Sequence, residues 1–195
     1  MADVGMVMLG LRQLAVICCS FRAIGPAGKA LPAIAIYRKP SQTIANHRKL
    51  LLPPFMHTVL PTPEATHTWG AELAASLQPG SVVGLCGQLG AGKTQAVKGI
   101  VAGLGSRAAV TSPTFTVVHE YLDGPVPVFH FDFYRMETEA EVLTLGWDDF
   151  LDEPGVVLVE WADLFPALLP DATRWFYFEM LPSGDRRVME GTSPA

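Results

Sequence analysis

The sequence predicts an α/β fold: three layers, with a central and mostly parallel sheet between helices. Three stretches carry that prediction. Residues Gly87 to Thr94 read Gly-Gln-Leu-Gly-Ala-Gly-Lys-Thr, a complete match to the phosphate-loop pattern G-x-x-x-x-G-K-[ST]. The loop sits between a short apolar run, Ser81 to Cys86, and a segment with helical spacing, Ala96, Val97, Ile100, Val101 and Leu104. A second continuous apolar run, Gly155 to Glu160, suits a strand covered on both faces. Strand, glycine loop and helix together turn a helix N-terminus towards an anion.

The elements follow in order from Met56. Thr66 to Leu77 has Trp69, Leu73, Ala74 and Leu77 on one side, which predicts an amphipathic helix. Pro79-Gly80 is a turn, and Ser81 to Cys86 is the strand that leads into the loop. Gln95 to Leu104 is the loop's helix, with Gly105 as its stop. Val126 to Tyr134 alternates, with Phe129, Phe131 and Phe133 on one face and His130, Asp132 and Tyr134 on the other. On a half-exposed strand that second face would meet solvent. Glu137 to Leu145 is helical in composition, Gly155 to Glu160 and Trp175 to Met180 are strands, and Leu181 to Asp185 turns into a last one. The whole is a P-loop NTPase-like pattern of strands interleaved with helices.

Residues 1–55 differ from the rest. They hold seven Lys/Arg and a single acid, Asp3, and are interrupted by five prolines. The reading is a disordered or non-native N-terminal extension, with Met56 the working start and 56–195 the ATPase domain; a transit peptide is the alternative. Val4 to Cys19 carries Arg12 and Gln13 and falls short of the ~20 residues that span a bilayer, so no membrane partner is expected.

Charge limits the partners. Residues 56–195 hold seven Lys/Arg against eighteen acids, a balance unsuited to gripping RNA or DNA through phosphates unaided. A partner protein or a small nucleotide fits better. Cys18, Cys19 and Cys86 form no disulfide framework, which points to a reducing cytoplasmic setting. The five histidines lack metal-ligand spacing and are expected to be surface or packing residues.

The loop assigns roles residue by residue. Gly87, Gly90 and Gly92 permit backbone conformations that a Cβ would block, so that N–H groups converge on phosphate. Lys93 supplies a point charge for the β- and γ-phosphates, and is expected to face solvent when they are absent. The Thr94 hydroxyl can ligate Mg²⁺. Turnover needs a further carboxylate. Glu160, at the carboxyl end of its strand, is one candidate and Asp132 the other. Thr111 to Thr116, dense in hydroxyls around Pro113, is either a switch that senses the γ-phosphate or an ordinary turn. The chain has one asparagine, Asn46, so it lacks the Asn-Lys-x-Asp signature of guanine readers, and adenine is expected.

Five stretches then stand together: Gly87 to Thr94, Ser112-Pro-Thr-Phe-Thr116, His130-Phe-Asp-Phe-Tyr-Arg135, Glu141 to Gly146, and Leu158-Val-Glu-Trp161. In order and spacing the chain resembles the TsaE-type ATPases of tRNA threonylcarbamoyladenosine biosynthesis, over about residues 58 to 190. The resemblance implies that Gly90, Ala91, Gly92, Lys93, Thr94 and Gln95 bind ATP, and that Thr94 and Glu160 hold Mg²⁺. It implies that Asp132 acts at the γ-phosphate or the metal, and that Trp161 is a structural or switch neighbour. It also implies an accessory ATPase that docks on a TsaD–TsaB pair and meets tRNA only through that complex. Two positions depart from the family's pattern: Gln88 stands where an acid is usual, and Gln95 where a second threonine is usual. A P-loop small-molecule kinase is the competing class, although few arginines follow the loop. A nucleotide-gated binding protein with negligible hydrolysis is the third.

Overall fold

The computed structural model describes residues 57–113 and 116–194. The expected N-terminal extension, residues 1–55, lies outside the described residues. Seven strands form one sheet: β1 (His57–Leu60), β2 (Val82–Gly87), β3 (Val118–Tyr121), β4 (Val128–Asp132), β5 (Val156–Glu160), β6 (Arg174–Met180) and β7 (Arg186–Gly191). Their order is β1-β7-β6-β2-β5-β4-β3. The four central strands, β6, β2, β5 and β4, are mutually parallel. β3 pairs antiparallel with β4 at one edge, and β7 and β1 continue antiparallel from β6 at the other. The expected fold class is therefore observed, with antiparallel margins.

Alternation along each strand divides the interior into two layers. Val83 and Leu85 of β2, Val156 and Leu158 of β5, and Phe176 and Phe178 of β6 face α1 (Pro63–Ala74) and α2 (Lys93–Gly103). Val82, Cys86, Val157, Val159, Phe129 and Phe131 face the opposite layer. There they pack with Trp147 and Phe165, beside the short helices α3 (Glu139–Thr144) and α4 (Trp147–Asp152). Burial of the thiol in that layer pushes the Cys86 pKa upward.

Helices α1 and α2 meet backbone to backbone. A Cβ on Gly70 would stand 2.3 Å from the Ala96 carbonyl oxygen, and one on Gly99 would stand 2.0 Å from that of His67. Only glycine allows this approach. The first helix begins three residues before the expected start. The Thr62 hydroxyl accepts from the Ala65 N–H at 3.1 Å, and Pro63 takes the first helical position.

Two further expectations are corrected. The β4 strand stops at Asp132, because one oxygen of its carboxylate accepts the Tyr134 N–H at 3.0 Å and starts a 3₁₀ turn over Phe133–Arg135. Nor does the polar face of β4 meet solvent: His130 and Asp132 are both buried against the α2 layer. They lie in the position where a phosphate loop meets its neighbouring strands.

Candidate functional site

The site grows from the end of β2. Gly87 has φ +134°, and a Cβ there would come within 2.2 Å of the Phe178 carbonyl oxygen, so the loop can leave the sheet only on glycine. Gly90 and Gly92 follow at φ +79° and +105°, and α2 begins at Lys93. The first turn of an α-helix leaves its N–H groups without intrahelical partners. Those of Lys93, Thr94 and Gln95 therefore face the mouth of the loop, an arrangement that suits an anion. Ala91 turns into the core, and its N–H donates to the Gln88 carbonyl at 3.1 Å.

Lys93 does not face solvent, contrary to expectation. It is 4% exposed. Its Nζ donates to the carbonyls of Gly87 at 2.7 Å and Gln88 at 3.1 Å, and lies 4.0 Å from the centre of the Trp161 ring. Burial pushes the ammonium below the usual lysine range, against the pull of Glu160, Asp163 and Asp132. The loop thus satisfies its own lysine through carbonyls and an aromatic face. The side chain of Gln88 is exposed and its carbonyl makes this bond, so the departure at that position leaves the contact intact.

The carboxylates come from neighbouring parallel strands. The β4–β5 register sets Asp132 beside Glu160, and both face α2. One oxygen of Glu160 accepts the Thr94 hydroxyl at 3.0 Å, and the other meets His130 Nε2 at 3.0 Å. Asp132 accepts the Ser112 hydroxyl at 3.1 Å in addition to the Tyr134 N–H. Ser112 belongs to the segment read as a switch or a turn, within which Thr114 and Phe115 lie outside the described residues.

Backbone strain gathers here too. Among the described residues, the two non-glycine positions with positive φ are Val117 at +67° and Trp161 at +59°. The Val117 carbonyl accepts the Asp132 N–H at 3.0 Å, and Trp161 directly follows Glu160. Each such conformation costs about 1–3 kcal/mol. Trp161 uses it to lay its ring beside Tyr134, centroids 4.8 Å apart, and over Lys93.

A cavity of about 360 Å³ opens over these groups. Of the residues assigned to the site from sequence, Gly90, Gly92, Lys93, Thr94, Gln95, Asp132 and Glu160 line it, while Gly87 and Ala91 do not. Pro63 and Thr66 of α1, Leu89, Lys98, Ser112, Tyr134, Trp161 and Arg186 complete the walls. Sequence reasoning missed His130, treated there as a surface or packing residue, and Arg186. Arg186 arrives because the last hairpin folds β7 back along β6, and no local signal marks that contact.

The donor set at Thr94, Glu160 and Asp132 is made of oxygen alone, a hydroxyl and two carboxylates. That suits a hard divalent cation such as Mg²⁺, which takes few protein ligands and fills the rest from phosphate and water. Among the described residues, no group of three or more His, Cys, Asp or Glu is placed to hold a metal by side chains alone.

Comparison with known proteins agrees with the geometry. Residues 60–188 match the model of the family described as threonylcarbamoyl adenosine biosynthesis protein TsaE. The chain is 49% identical over 108 residues to the tRNA threonylcarbamoyladenosine biosynthesis protein TsaE of Bacillus subtilis, covering 55% of this chain and 67% of that one. It is 35% identical to the Treponema pallidum protein of the same name over 133 residues, covering 68% of this chain and 98% of the other. The crystal structure of Bacillus subtilis YdiB superposes with a TM-score of 0.61 at 35% identity, covering 71% of this chain and 85% of that one. A match over the strands, loop and carboxylates that build the site leaves one assignment: the chain belongs to the TsaE family of tRNA threonylcarbamoyladenosine biosynthesis.

Proposed function

We propose that this chain is an accessory ATPase that binds and hydrolyses ATP to support threonylcarbamoyl modification of adenosine 37 in tRNA. The observation that carries the reading is the meeting of Thr94, at the start of α2, with Glu160 at 3.0 Å, beside Asp132 in register. A loop that only bound phosphate would have no need of two buried carboxylates there. Gly90 to Gln95 would hold the phosphates, with Lys93 exchanging its loop carbonyls for phosphate oxygens. Thr94 and Glu160 would hold Mg²⁺, with Asp132 at the metal or the γ-phosphate. When bound there, Mg²⁺ would offset the negative charge that develops on the phosphates. Asp132 and Ser112 together would orient the attacking water.

The partners in this reading are TsaD- and TsaB-like proteins in the cytoplasm, with tRNA met through their complex. An acidic domain fits such a role, since its partners would make the phosphate contacts. Nucleotide can change affinity for a partner only if the partner binds one state better. The test measures binding to purified TsaD–TsaB with an ATP analogue, with ADP and without nucleotide, alongside phosphate release. Partner-dependent release and state-dependent affinity are expected. Equal affinity in all three states, with multiple-turnover tRNA modification unchanged in Lys93→Ala, would favour the small-molecule kinase reading instead.

A further inference from the structure

We propose that His130 is a positioning residue, which fixes the conformation of the Glu160 carboxylate and so aims its second oxygen at Thr94. The inference rests on the reading of Glu160 as a metal-side ligand. Period two along β4 places Val128, His130 and Asp132 on one face, and the parallel register sets His130 beside Leu158 and Asp132 beside Glu160. The imidazole therefore lies one strand across and one step back from Glu160. Its Nε2 meets Oε1 at 3.0 Å, while Oε2 accepts from the Thr94 hydroxyl at 3.0 Å.

An ionised carboxylate only accepts, and against one the proton of this bond is carried by Nε2. The other ring nitrogen, Nδ1, has no hydrogen-bond partner among the described residues. The ring is wholly buried, and its plane is set by stacking on Tyr121, with centroids 6.4 Å apart and 26° between planes. A phenylalanine or leucine would fill this space without burying an unpaired nitrogen. The contact with Glu160 is what the imidazole adds. A glutamate has three side-chain torsions, and two bonds from opposite sides reduce them to one arrangement before any ligand arrives. Partners of this kind around a metal ligand alter metal affinity by about 10- to 100-fold.

The test uses the full chain with two substitutions: His130→Phe keeps a flat ring and removes the donor, and His130→Gln keeps an N–H. Mn²⁺ binding is followed by electron paramagnetic resonance in the presence of ADP, and ADP affinity is measured separately in chelator. The expected result for His130→Phe is Mn²⁺ affinity about 10- to 100-fold weaker with ADP affinity in chelator unchanged, and for His130→Gln recovery of most of the loss. A folded His130→Phe with wild-type Mn²⁺ affinity overturns the proposal while leaving the functional reading in place. If Glu160→Gln also binds Mn²⁺ normally, the reading of Glu160 falls and the proposal with it. Should neither His130 variant fold, nitrogen-15 spectra of the wild-type histidines decide. A proton on Nε2 that responds to Glu160→Gln supports the bond, and a proton on Nδ1 alone overturns it.

Discussion

Lys93 shows how one residue can be identified from sequence and still be misplaced. The eight-residue pattern names it, because the loop's chemistry is contiguous. Its resting partners are two carbonyls of its own loop and an indole more than sixty positions away. Desolvation of the ammonium opposes those contacts, as the lowered pKa records. We therefore expect Lys93→Ala to lose about 10- to 100-fold in ATP affinity, the range for a charge-assisted bond. The melting temperature should change by no more than a few degrees, because the lost contacts and the relieved desolvation offset one another. Calorimetric titration and a thermal melt check both; wild-type affinity in a folded variant contradicts the site assignment. His130 and Arg186 could not be read in the same way. Each acts through a neighbour on another strand, and pairing register is not written in local periodicity.

At the scale of elements, long periodic segments were legible and short ones were not. The loop helix, the apolar runs of β2 and β5, and β6 lie within a residue or two of expectation. β1 and β3 have four residues each, too few for alternation to rise above chance, and were not foreseen. The six-residue α4 was likewise not foreseen. The start of α1 was written in Thr62-Pro63, a cap and a first-turn proline, but apolar spacing drew the expected boundary inward. Nor does spacing reveal how closely two helices approach. We expect Gly99→Ala to destabilise the domain by about 1–3 kcal/mol, the usual cost of overpacking, although alanine is the better helix former by about 1 kcal/mol. A Cβ 2.0 Å from the His67 carbonyl oxygen must push α1 away, and clash with backbone outweighs propensity. Denaturant unfolding of the variant gives the number. An unchanged midpoint would mean that the two helices separate freely.

For the whole molecule, the sheet's order decides what is rigid around the cavity. Glycines join α1 to α2, so the wall formed by Pro63 and Thr66 is fixed relative to the phosphate loop. Adjustment to a ligand falls to the opposite wall, where Ser112 and Tyr134 sit with the strained Trp161. The sheet also joins the first described strand to the last: β1 pairs with β7, and His57 faces Met189. Removing residues from Arg186 onward should therefore strip β6 and β1 of their shared neighbour and take away Arg186 from the site. We expect such a chain to lose cooperative unfolding, as circular dichroism during heating would show. A sharp transition near the wild-type temperature would mean that the margin is dispensable.

That pairing of β1 with β7 has a consequence in time. The ribosome makes β1 first among the described strands and β7 last, and β1 has its ladder partner only when β7 emerges. Until then the earliest strand, with Val59 46% exposed, waits as an open edge while the phosphate-loop core can already assemble behind it. Contacts so distant along the chain are slow to close. In the order of synthesis, the strands around the phosphate loop therefore precede the margin that β7 completes. During that interval, a chaperone or another nascent copy would find the unpaired edge of β6 before β7 does.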